Sequence, residues 1–293
     1  MQWLYTNIGL FLARLLSLFS LHKLLILADI LGFVFNRIFT YRKTVIDLNL
    51  MYAFTHKKSE ELWFIRSKYY RHLADLIMET IKSISISKKE LKERIQLHHE
   101  SYALLKKYEQ SGQHIFVVLG HYGNWEWASL LAGTETTLPS YAIYAPPSNK
   151  TFDKFLLKNR SRFGCQLIAT NQIKSLYNHL QSKPSLVAFV ADQTPVDISN
   201  AHWTKFLKNE TPCYKGYDTL AQKVNAIVVY ASIQKINRGF YELHFKTITE
   251  NAASETTNFI VDNFVRYLEK DIEQQPEYWL WSHRRWKRAG INY

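Results

Sequence analysis

Cysteine is scarce. The 293 residues include two, Cys165 and Cys213, too few for a disulfide framework and without metal-ligand spacing, so both read as reduced and structural. Glycine and proline are sparse as well, at 10 and 7 residues. No internal repeat or low-complexity tract occurs, so the polar stretches read as surface turns and no linker divides the chain. The expected organisation is a hydrophobic segment over residues 1–39 followed by one α/β domain over 40–293. The 11 histidines include the pair His98-His99 but no H-E-x-x-H motif, so no metal and no cofactor are expected, and a metal hydrolase is disfavoured. No small-residue cleavage site follows the first apolar stretch, so it does not read as a removed signal peptide.

What is present points toward an interface. Hydrophobic residues make up 47% and aromatic residues 15%, enough for a sizeable core with rings left over. Lys and Arg number 37 against 25 Asp and Glu, a net charge of +12, which attracts anionic lipid headgroups, nucleic acids or acidic proteins. In residues 1–21 a central Arg14 makes bilayer spanning marginal. On a helical wheel Ile8, Phe11, Leu12, Leu15, Leu18 and Phe19 share a face opposite Asn7, Arg14 and Ser17, with Leu10 the exception. That pattern suits a helix lying in the membrane surface. A second apolar stretch, residues 24–39, is interrupted by Asp29, Asn36 and Arg37 and falls short of the roughly 20 residues a span needs.

Residues 40–109 carry helical periodicity through Leu62, Ile65, Tyr69, Leu73, Leu76 and Ile77. The character then changes. Residues 115–119, 186–191 and 226–230 are short unbroken apolar runs of the kind that form buried parallel strands. Helical patterns at 152–162, 173–181 and 215–224 lie between or beside them. This alternation predicts a largely parallel sheet flanked by helices, with ligands at the carboxyl ends of the strands. Two strands end in polar clusters, Gly120-His121-Tyr122-Gly123-Asn124-Trp125-Glu126 and Ala191-Asp192-Gln193-Thr194-Pro195, which a parallel sheet places on one edge.

His121 ends a strand, and Glu126 falls in the first turn of a helix capped by Asn124. A carboxylate holding one imidazole nitrogen raises the basicity of the other, as a general base for a hydroxyl requires. Gly123 leaves the approach open, and amides at the helix start are placed to face an oxyanion.

The chain here resembles the bacterial lipid A biosynthesis acyltransferases, within the wider glycerolipid acyltransferase group. The resemblance runs in order through Tyr41-Arg42-Lys43, Asn49-Leu50, the Tyr70-Arg71-His72-Leu73-Ala74-Asp75 helix and the H-x4-E box His121 to Glu126. It continues through Arg160-Ser161-Arg162-Phe163-Gly164, Ala191 to Pro195 and residues 216–221 to the aromatic-basic stretch Tyr278 to Trp286. It implies that His121 deprotonates an acceptor hydroxyl, that Glu126 orients His121, and that the alkoxide attacks the thioester of an acyl carrier protein. The implied setting is the cytoplasmic face of the inner membrane of a Gram-negative bacterium, with a membrane lipid as acceptor and an anionic membrane surface as partner. Arg160 and Arg162 sit in the family's basic box and suit a phosphate or oxyanion. Asp192 and Gln193 are expected to shape the pocket.

Two departures bear on the acceptor: Tyr144-Ala145-Pro146 lacks a basic residue common in relatives, and Phe206-Leu207-Lys208 replaces a turn ending in Gly. A lipid A precursor is the first acceptor, with an amino-acid-linked lipid or hydroxylated pigment as alternatives. Trp279, Trp281 and Trp286 with Arg284, Arg285, Lys287 and Arg288 mix indoles and cations as membrane-interface anchors do. A basic nucleic-acid-binding protein is the rival class, but no recognisable binding module supports it, and nucleic acid is not expected as a partner.

Overall fold

The computed structural model describes residues 2–293, with side chains from Leu4 onward. The first third is mostly helical: α1 (Gln2–Ser17), α2 (Leu21–Arg37), α3 (Lys43–Ala53), α4 (Ser59–Lys82) and α5 (Lys88–Arg94) lead to a short strand β1 (Ile95–Leu97) and helix α6 (His99–Glu109). Strands and helices then alternate through β2 (Ile115–Leu119), α7 (Trp125–Glu135), β3 (Ser140–Tyr144), α8 (Lys150–Arg160), β4 (Cys165–Ala169), α9 (Ile173–Leu180) and β5 (Leu186–Val190). A hairpin of β6 (His202–Phe206) and β7 (Asn209–Cys213) precedes α10 (Gly216–Val224), β8 (Ile227–Asn237), β9 (Phe240–Thr249) and α11 (Phe259–Gln274).

Seven strands form one sheet in the order β1-β9-β8-β2-β5-β3-β4. Every pairing is parallel except that of β8 with β9. The apolar runs read as buried strands are its centre, β8-β2-β5, and all five residues of β2 are buried. Strand alternation sends Phe116 and Val118 to one face of the sheet, where α4, α10 and α11 contribute to the core. Ile115, Val117 and Leu119 face the other, against α6 and α7.

The N-terminal helices divide their surfaces. α2 buries Leu21, Leu24, Leu25 and Ala28, and of these Leu24 and Ala28 pack with Ala74 and Met78 of α4. In α1, Ile8, Phe11, Leu12 and Leu15 are exposed, as are Leu18 and Phe19 just after it and Ile26, Ile30 and Phe33 on α2. Among the described residues no helix is long and apolar enough to cross a membrane.

The C-terminal aromatic cluster requires a correction. Trp279, Trp281, Trp286 and Arg285 are buried in the core and are not interface anchors. Each indole N–H has an internal acceptor: Asp192 Oδ2 at 2.7 Å, the Pro276 carbonyl at 2.6 Å and Thr211 Oγ1 at 2.8 Å, respectively. Arg285 donates to the Pro212 carbonyl at 2.9 Å. Burial therefore strands no indole donor, and large apolar area leaves water. Arg284, Lys287 and Arg288 stay exposed.

Candidate active site

The site is assembled by sheet register. β2 and β5 pair with Leu119 opposite Val190, so the residues two positions beyond, His121 and Asp192, stand side by side at the carboxyl edge. His121 Nδ1 lies 2.6 Å from Asp192 Oδ1, and the His121 backbone N–H donates to Asp192 Oδ2 at 3.0 Å. Trp279 adds its indole N–H to the same oxygen. Burial alone would raise the Asp192 pKa, but the facing imidazole and these N–H donors outweigh it and hold the carboxyl at about 2. An ionised carboxylate only accepts, so the proton of neutral His121 resides on Nδ1 and Nε2 presents its lone pair. The side-chain amide of Gln193 is 3.2 Å from that Nε2.

Glu126 is placed differently from the expectation that it orients His121. It lies in the first turn of α7, as the sequence indicated, but its carboxylate is gripped by Arg160, with Nε to Oε2 at 2.9 Å and Nη2 to Oε1 at 2.6 Å. The imidazole's partner is Asp192, which the sequence had assigned only to shaping the pocket. The other expected binding residues are occupied by the protein itself. Asn124 caps α7 by accepting from the Trp127 N–H at 2.9 Å and is completely buried. Gly123 has φ of +60° and donates its N–H to the Tyr278 carbonyl at 3.1 Å. A Cβ there would meet Ile233 Cγ2 at 2.8 Å and the Ile233 carbonyl at 2.9 Å, so a close backbone approach requires glycine. Arg162 donates to the carbonyls of Ser83, Ile84 and Ile86, satisfying the chain that leaves α4.

Three supports were not legible in the sequence. The C-terminal segment holds the His121 turn from outside, with Leu280 N–H donating to the His121 carbonyl at 3.1 Å. That segment is itself fastened by the motif residues of the first half. Asn49 donates to the carbonyls of Trp281 and His283 at 2.7 and 2.8 Å, and Arg42 to that of Ser282 at 2.9 Å. Beneath α7, the fully buried Glu79 accepts from Asn124 Nδ2 at 2.8 Å and Tyr241 Oη at 2.7 Å. Burial pushes its pKa up to about 7, against the pull of Lys235. Nearby His283 is driven down to about 4 by burial and accepts from the Thr194 N–H at 3.2 Å through Nε2.

Next to the imidazole an apolar crevice runs between the sheet and α6 and α7. Leu119 and Val190 line it near the strand ends, Leu131 and Leu105 on the helices, and Leu243 and Phe245 on β9. Trp125 also lines it, and its ring meets the edge of His121 at 5.1 Å between centroids. The two sequence departures fall elsewhere. Leu207 and Lys208 form the β6–β7 turn with φ of +48° and +66°, and Tyr144 ends β3.

A carboxylate-held histidine at the carboxyl edge of a mostly parallel sheet, beside an apolar crevice, defines an α/β enzyme equipped for proton removal next to an aliphatic group. The chain matches the family described as bacterial lipid A biosynthesis acyltransferase over residues 1–288, and it belongs to that family. It is accordingly an acyltransferase. Its relatives include the lipid A biosynthesis palmitoleoyltransferase of Escherichia coli K12, 22% identical over 251 residues, covering 85% of this chain and 80% of that protein. The lipid A biosynthesis acyltransferase of Shigella flexneri shows the same identity and coverage.

Proposed function

We propose that the protein transfers a fatty acyl group from an acyl carrier protein thioester to a hydroxyl of a lipid A precursor. The observation that carries this reading is the His121–Asp192 pair at the mouth of the apolar crevice. In the proposed reaction the acceptor hydroxyl takes the place of the Gln193 amide at Nε2. His121 removes its proton while the oxygen bonds to the thioester carbonyl carbon. The C–S bond then breaks, and the departing thiolate recovers the proton from the imidazolium. Asp192 holds the tautomer and stabilises the imidazolium that forms between these steps. The crevice receives the acyl chain, with Trp125 at its entrance. Glu126, locked by Arg160, serves the acceptor side, where a carboxylate can orient a sugar hydroxyl and the guanidinium can meet a phosphate.

The exposed apolar side chains of α1 and α2 support attachment to a membrane surface, which this reading takes to be the cytoplasmic face of the inner membrane. Phe11 and Phe33 are 59% and 62% exposed, and such side chains are costly in water unless another apolar phase covers them. The acidic carrier protein is assigned to the basic surface that includes the exposed Lys154 and Lys158 of α8.

The test is transfer by the purified protein from acyl carrier protein thioesters to lipid A precursors, read by mass spectrometry of the lipid. A product heavier by one acyl group is expected. Acylation solely of another hydroxylated polar lipid would move the acceptor assignment, and the missing basic residue in Tyr144-Ala145-Pro146 makes such lipids the comparison set.

A further inference from the structure

The His98-His99 pair has no part in the chemistry above, yet sheet pairing gives it company. β1 runs parallel to β9 with Leu97 opposite Leu243, so the next residues, His98 and His244, lie alongside each other, their rings 4.5 Å apart between centroids. Strand alternation places Glu242 on the same face as His244, and its Oε2 is 2.9 Å from His244 Nε2. One ligand atom from each of His98, Glu242 and His244 lies within 4.8 Å of the other two. All three side chains are partly exposed, at 23%, 30% and 25%.

The surroundings favour a cation. The Glu100 carboxylate is 3.9 Å from His98 Nδ1, so a small side-chain rotation lets it accept a hydrogen bond from that ring N–H once the other nitrogen is engaged. Ser232 and Gln234, the cross-strand partners of His244 and Glu242, line a polar recess with Asp271, Gln274 and Gln275. Ser232 Oγ is buried there without a protein partner among the described residues.

We propose that His98, Glu242 and His244 form a binding site for a divalent transition-metal ion of zinc-like chemistry. Two imidazoles and one carboxylate are the donor set such ions select, whereas Mg²⁺ and Ca²⁺ prefer oxygen alone. Water fills the remaining positions. Ligand atoms about 2.0–2.1 Å from zinc stand roughly 3.3 Å apart in a tetrahedron, so the side chains rotate inward on binding and the two imidazoles turn out of their stack. The sequence conceals the site because Glu242 and His244 are brought to His98 by strand pairing and not by motif spacing. Leu97, Leu243 and Phe245, interleaved with these ligands, line the apolar crevice from the opposite face. A bound ion would therefore staple the three-residue edge strand β1 to β9 and stiffen that wall of the crevice.

The test uses the full chain, purified in detergent after chelation and titrated with Zn²⁺ alone by calorimetry. One equivalent should bind, with a rise in the unfolding temperature. Glu242→Gln should weaken binding at least tenfold, and the double substitution of His98→Gln with His244→Gln should abolish it, while His99→Gln leaves it intact. Zinc binding of unchanged stoichiometry and affinity in the double variant would overturn the proposal. A measurement on the unaltered chain guards against misfolded variants: Co²⁺ should give visible bands distinct from those of the aqueous ion, and an aqueous-type spectrum at saturation would equally refute the site.

Discussion

Replacing Asp192 with Asn separates the two carboxylates as partners of His121. The carboxylate accepts from three donors, the His121 backbone N–H, His121 Nδ1 and the Trp279 indole. An amide offers one oxygen. If that oxygen meets the two donors now sharing Oδ2, the amide NH₂ faces Nδ1, the imidazole proton moves to Nε2, and the base is lost. Charge-assisted hydrogen bonds contribute roughly 1.5–3 kcal/mol each, and the imidazolium loses its counter-charge as well. A loss of about 3–5 kcal/mol is expected, which at 1.36 kcal/mol per decade is roughly 10²- to 10⁴-fold in kcat. KM for the acyl donor should change little, because no donor contact is removed. The assay is steady-state transfer from a carrier-protein thioester, with circular dichroism to verify the fold. Glu126→Gln, which removes the counter-charge of Arg160 and one of its two acceptors, should act mainly on KM for the acceptor. Retention of more than about a tenth of wild-type kcat by Asp192→Asn would refute the argument.

Glu79→Gln tests the buried acid under α7. Its pKa is raised from 4.5 to about 7, so between those values the native state holds a proton the unfolded chain releases, and stability falls as pH rises through that window. This contribution amounts to up to roughly 3 kcal/mol; thermal unfolding at pH 5 and pH 8 should show it in the wild type and not in the variant, and identical pH dependence would count against it. Gly123→Ala should prevent the His121 turn from closing, because of the positive φ and the Ile233 contact, and active soluble protein at wild-type yield would contradict this. Paired substitutions Phe11→Glu and Leu15→Glu should cut cosedimentation with anionic vesicles severalfold without altering the unfolding temperature, since both side chains are exposed. Lys154→Glu with Lys158→Glu should lower kcat/KM for the carrier-protein thioester at low salt and leave acyl-coenzyme A turnover unchanged. An equal effect on both donors would remove the carrier protein from that face.

The sequence by itself determined the central strands, the helix capped by Asn124, the strand-end positions of His121 and Asp192, and the apolar face of α1. Those features follow from local chemistry: unbroken apolar runs need burial on both faces, an Asn side chain satisfies free amides at a helix start, and 3.6-residue periodicity gathers one face. The strands outside that centre, β1, β3, β4 and β9, were less visible, because their burial patterns are mixed. Tertiary structure alone decided which carboxylate serves His121. Glu126 is near in sequence, but helix α8 delivers Arg160 to it, while the register of β2 on β5 delivers Asp192 across 71 residues. It also decided the fate of the terminal tryptophans. Composition treats an indole among cations as a surface group, whereas the fold supplies each N–H with an internal acceptor and turns the same residues into the clamp on the His121 turn. Pairing over such separations depends on strand register and on which acceptors meet in space, and neither is encoded in the spacing of residues along the chain.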